Sequence, residues 1–149
     1  MIYTDVKKSI LKFCKDYIEN NGLASKFDVF DFDAHATINE LPNKDLIGIG
    51  EFSIENNSEM YTVTCYIAVC TKADDKNLAR LTPVIDGLFD LLRPGHKAMD
   101  VVRQSGNTVQ TLGQLVLMES VSVLPVARTE TRPIQMLAIQ LGSGLIDPQ

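Results

Sequence analysis

Three cysteines and two histidines are all this chain offers for thiolate or imidazole chemistry. Cys65 and Cys70 stand five apart on an expected strand, so their side chains leave opposite faces and are badly placed to share a metal or a bridge. Cys14 falls on the apolar stripe of an expected helix. The pattern predicts buried, reduced thiols serving as small hydrophobes, and with them a reducing cytoplasm. No window approaches the roughly 20 apolar residues of a membrane-spanning helix. The N-terminus, broken by Lys7, Lys8, Lys12, Lys15 and Asp16, lacks the apolar centre of a signal peptide. A net charge of −5, with both signs interspersed, provides no concentrated basic face for nucleic acid. Repeats, linkers and low-complexity segments are also missing.

What is present is ordinary globular composition, 45% hydrophobic and 22% charged over 149 residues. That predicts a single domain spanning 1–149, with 1–3 and 142–149 as flexible ends, burying about two-thirds of its unfolded surface.

The chain is organised around Leu46 to Gly95. Met60 to Cys70 alternates as a strand, with Tyr61, Val63, Cys65, Ile67 and Val69 on one face and Met60, Thr62, Thr64, Tyr66, Ala68 and Cys70 on the other. Leu78, Leu81, Ile85, Leu88 and Leu92 then form one helical stripe. The apolar sheet face and the one-sided helix are expected to bury each other. Upstream, Leu46 to Glu55 reads as the partner strand, with a bulge or a close backbone approach at Gly48 and Gly50. Asn56-Asn57-Ser58 closes the hairpin. Asp74 or Asp75 should cap the helix, and Thr82-Pro83 should kink it or restart it with Thr82 as cap; Arg93-Pro94-Gly95 stops it.

Asp5 to Asn21 reads as an amphipathic helix capped by Thr4 or Asp5, and Phe27 to Asp33 as a short strand. After Lys97 the helical period vanishes. Met99 to Arg103 and Thr108 to Leu112 flank a turn at Ser105-Gly106-Asn107. Gln114 to Val126 is rich in valine and leucine, Arg128 to Pro133 reads as a charged loop, and Ile134 to Leu141 as an apolar strand covered on both faces. The expected class is α+β, a mainly antiparallel twisted sheet with two helices packed on one face.

Chemistry is sparse. Asp31, Asp33 and His35 would share one face of an extended strand, as metal ligands must, but lack further separated ligands. Solvated acidic residues are the plainer reading, and a small-molecule-binding or metal-dependent hydrolytic domain the alternative. Cys70, at a strand end, is the one thiol placed to be a nucleophile. Neither a cofactor nor a catalytic centre is expected. The apolar surface carrying Met60 and Tyr66 is instead expected to meet another protein, and the charges Arg128, Glu130 and Arg132 read either as a solvated loop tip or as a contact between neighbouring subunits.

The order of elements resembles the tail-terminator (tail-completion) proteins of long-tailed phages and their prophage relatives. An amphipathic first helix leads into a long hairpin, the Leu78 to Leu92 helix ends at Pro94-Gly95, and the strand Ile134 to Leu141 closes the chain. The resemblance runs from about Tyr3 to Leu141. It implies a non-enzymatic virion subunit, made in the cytoplasm of a host bacterium and assembled into the tail. Such proteins form a homo-oligomeric ring, typically a hexamer, that caps the tail tube and faces the head connector. Another small neck, tail or injection-system subunit is the nearest alternative.

Overall fold

The computed structural model describes residues 2–34, 41–57 and 60–144. The first helix, α1, spans Ile2–Asn20, and the strand β1, Phe27–Asp31, follows a left-handed turn at Gly22. β2 (Asp45–Asn56) and β3 (Met60–Cys70) form the long hairpin. α2 (Leu81–Leu91) comes next, then β4 (Lys97–Ser105) and β5 (Thr108–Leu117). Two short strands, β6 (Ser122–Val123) and β7 (Ala127–Thr129), lead into β8 (Arg132–Gly144). The architecture is α+β, with a sheet ordered β1-β2-β3-β8-β5-β4. Among the described residues only β1 against β2 is parallel.

β3 and β8 pair along their whole lengths, from Met60 opposite Gly144 to Cys70 opposite Ile134. The other edge of β8 is served in turn by β5, β6 and β7, so residues 116–129 wrap along one strand. The alternation read for β3 holds. Val63, Cys65, Ile67 and Val69 join Leu137, Ile139 and Leu141 of β8 in the core, and both helices cover that face with Val6, Ile10, Cys14, Leu81, Ile85 and Leu88.

The sheet curls around α1, which touches both of its end strands. Lys7 pairs with Asp31 of β1 at 2.9 Å, and Asp5 with Arg103 of β4 at 2.7 Å. Ser9 Oγ accepts the edge N–H of Val102 at 3.0 Å. Asp5 is therefore no cap, because the helix begins earlier, at Ile2; its carboxylate is turned to β4 instead.

β2 has both irregularities expected of it. Its pairing shifts between Gly50 and Ser53, where Glu51 takes a left-handed φ of 50°. At Gly48 the β1 backbone comes so close that a Cβ would lie 1.6 Å from the Phe30 carbonyl oxygen.

Several expectations are corrected. The helix starts at Leu81, so Thr82 is no cap but lies with Pro83 in the first turn; Asp75 caps it from outside, accepting the N–H groups of Arg80 and Leu81 at 2.9 and 3.1 Å. Residues 128–133 are not a loop, because β7 and β8 form a tight hairpin there. Glu130 and Thr131 make its turn with φ of 51° and 66°, at about 1–2 kcal/mol for each non-glycine residue held left-handed. Gly142 and Ser143 are not tail but buried strand, paired with Thr62 and Tyr61.

Asp5, Asp31 and Asp75 link this frame to pH. Burial opposes ionisation at each, but is outweighed: by Arg103 at Asp5, by Lys7 and the Ala34 and Asp33 amides at Asp31, and by the Arg80 amide, Thr71 hydroxyl and Leu81 amide at Asp75. All three are held below the usual carboxylate range. Each is thus a stronger acid folded than unfolded, and unfolding takes up protons in acid. Their contribution is fully present above about pH 4, the ordinary carboxylate value, and fades as pH falls through the lower folded values. Urea midpoints measured from pH 6 to pH 2 should fall mainly below pH 4. The Asp31→Asn variant should show a shallower fall.

Candidate protein interface

The structure separates the residues singled out by sequence into two groups. Met60 and Tyr66 lie on the sheet face opposite the helices, both partly exposed. Tyr66 stands between small partners, Gly50 on β2 and Ala138 on β8. Met60 helps line an open hollow of about 530 Å³ with Gly113, Val116, Met118 and Gly142. Gly142 makes the hollow: a Cβ there would lie 2.4 Å from Met118 Sδ and 2.8 Å from Met60 Cε. Two unbranched thioethers meet over a bare backbone, and Met118 keeps 44% of its surface in solvent. Such a surface adapts to the shape of an incoming apolar group.

Arg132 and Glu130 belong elsewhere. Arg132 is only 7% exposed. Its guanidinium donates to the carbonyls of Thr71 (3.3 Å), Pro42 (2.7 Å) and Lys44. The Glu130 carboxylate accepts the Leu41 N–H at 3.0 Å. Both pin the chain's own 41–44 segment across the outer face of the sheet. The buried guanidinium of Arg132 is thus taken up within the fold, whereas Glu130 stays exposed and uses one carboxylate oxygen on this segment. Arg128 remains exposed. Under the pinned segment, Cys70, Phe30 and Leu46 form a second small core capped by Phe32, Leu41 and Ile134.

That core also answers the question of Cys70 as nucleophile. It is fully buried, and burial pushes its thiol up despite Arg132 nearby. Burial likewise pushes Cys65 up to about 12, and raises Cys14. A low-pKa, accessible thiolate is what such chemistry requires.

Asp31 and Asp33 are partly exposed, and both carboxylates are engaged within the fold. The strand ends at Asp31, whose carboxylate pairs with Lys7 and accepts the N–H groups of Asp33 (3.1 Å) and Ala34 (3.2 Å). Asp33 accepts the N–H groups of Glu51 (2.7 Å) and Phe52 (2.9 Å), which closes the bulge in β2. His35 lies outside the described residues. Among the described residues no group of three or more metal-ligating side chains converges.

Sequence reasoning missed a polar knot behind α2. Arg80 forks onto Asp45 at 2.7 and 3.2 Å and reaches Asp74 at 2.7 Å, while Thr71 donates to Asp75 at 2.8 Å. Thirty-five positions separate Arg80 from Asp45, and no spacing rule connects them. The cap residues Asp74 and Asp75 were the visible part of the signal.

The helix layer shows a second apolar surface. Phe89 and Leu91 of α2 are about half exposed, at 48% and 55%. Leu91 borders a hollow between the helices with Phe13, Tyr17 and Gly87.

Comparison with known proteins adds little. No family model and no curated protein matches this chain. A solved structure of unstated function aligns over 71% of this chain and 67% of its own, at 15% identity and a TM-score of 0.35. That likeness is too distant to carry an argument. No helix among the described residues is long and apolar enough to cross a membrane.

Proposed function

We propose that this chain is a structural virion subunit, the tail terminator of a long-tailed phage or prophage. In this reading it forms a ring, a hexamer, that caps the tail tube and faces the head connector, and it catalyses nothing. One observation supports the reading beyond the order of elements. Two unlike apolar surfaces occupy opposite layers of the molecule: the methionine hollow at Met60, Met118 and Gly142, and the α2 surface at Phe89 and Leu91. A head-to-tail contact joins two different surfaces of identical chains, and closes into a ring when its rotation permits. Apolar patches of this kind mark association sites.

The test exploits that asymmetry. Met118→Glu disables one surface and Phe89→Glu the other; both positions are exposed, so folding should persist, as circular dichroism can check. Each variant alone is expected to stay monomeric by sedimentation velocity. Mixed in equal amounts they should form a heterodimer, because each retains the surface the other needs. Variants that self-associate as the wild type does would refute the pairing.

A further inference from the structure

We infer that the β4–β5 ribbon is a docking arm whose β5 edge, at Val109 and Thr111, takes on an edge strand of a second copy of this chain. The inference deepens the ring reading and rests on it. Its first support is topological. β5 pairs with β4 from Thr108 to Val116, but with β8 only at Val116 and Leu117. Among the described residues, then, its other edge from Thr108 to Leu115 has no strand beside it.

The second support is composition. Residues 104–118 contain no charge and no proline. The comparably bare stretches 60–71 and 134–144 are the strands β3 and β8, each flanked on both sides. The end strands look different: β1 carries Asp28 and Asp31, and β4 carries Lys97, Asp100 and Arg103. Charges and prolines on peripheral strands prevent edge-to-edge pairing. β5 lacks that protection and has the composition of an interior strand.

Backbone direction supplies the third support. The Val102 N–H points away from β5, since it is donated to Ser9 Oγ. Val102 is paired with Thr111, and Gln104 with Val109, so both are non-hydrogen-bonded pairs of the antiparallel ladder. Thr111 and Val109 consequently aim their own N–H and C=O groups at the open edge. The occupant is a second copy because the edge runs straight into the candidate interface. Gly113 and Gln114, next along β5, already line the methionine hollow. Val109, 58% exposed, adds apolar contact beyond the backbone bonds.

The experiment uses the full chain. Val109→Pro removes an N–H that β4 does not use, so the β4–β5 ladder should survive while pairing is blocked; Thr111→Lys protects the edge without touching the backbone. Association is read by sedimentation velocity against concentration, and amide exchange by NMR or mass spectrometry. The expected result is at least a tenfold weaker association for both variants, with the Val109 and Thr111 amides protected in wild-type oligomers and fast in monomers. Protection in the monomer that disappears on truncation after Gly144 would overturn the inference, by showing that the chain covers its own edge. So would wild-type chains that never associate. Rings that form at wild-type strength with both substitutions would overturn this contact while leaving the ring reading intact.

Discussion

Gly48→Ala is expected to cost about 3 kcal/mol or more, beyond the usual range of 1–3 kcal/mol for an extra core methyl. The reason is what the methyl meets. Its carbon would sit 1.6 Å from the Phe30 carbonyl oxygen, which is backbone within a paired strand and cannot rotate aside. Either β1 moves off β2 or β2 bends. Separation would break the pairs from Phe27–Asp45 to Asp31–Ile49 and pull on the Asp31–Lys7 contact that holds α1. Small domains hold only about 5–15 kcal/mol in reserve, so the variant should show a large fall in urea midpoint. An unchanged midpoint would mean that β1 does not approach β2 as closely as described.

Arg132→Ala is expected to destabilise by roughly 3 kcal/mol, and so to act on folding before assembly. Three carbonyls, of Thr71, Pro42 and Lys44, lose the guanidinium together, and among the described residues only that of Pro42, at an exposed residue, keeps a backbone donor, the Lys44 N–H at 2.8 Å. A buried acceptor left unsatisfied costs about 1–3 kcal/mol, less where water can enter. Arg132→Lys should recover little, because one ammonium cannot reproduce a planar fork aimed at three sites. Arg128→Ala, at an exposed position two residues before the turn, should leave the urea midpoint within about 0.5 kcal/mol of wild type. Equal stability of Arg132→Ala and Arg128→Ala would return Arg132 to the surface role that its charge alone suggested.

Arg132 also shows where sequence reading stops. Strict alternation made β3 legible to the residue, but β8 read only as an apolar strand covered on both faces; its register against β3 is what sends Leu137, Ile139 and Leu141 to the core and leaves the other face partly exposed. Gly48 and Gly50 announced the irregularity in β2, and Pro94-Gly95 the end of α2. These signals are local, because they follow from periodicity and backbone freedom. A charged residue between two apolar strands instead looks exposed by composition. Its burial depends on residues 41–44 crossing the sheet some ninety positions away in sequence. Asp33 reads as a ligand or a solvated acid for the same reason: the two amides it binds are eighteen and nineteen positions off. The short strands β6 and β7 escaped notice because they exist only as partners for β8. In the candidate interface, Met60 and Tyr66 were legible from strand parity. Met118 was not, since it follows β5 and reaches the hollow only because Gly142 leaves room.

The central claim is that copies of this chain close on one another through unlike surfaces. Its most direct test is negative-stain imaging combined with light scattering, on the purified chain alone and with isolated phage tail tubes. The account predicts closed rings of a single subunit number, six in the terminator reading, free in solution or seated on tube ends. Single chains at every concentration, with bare tube ends, would contradict it.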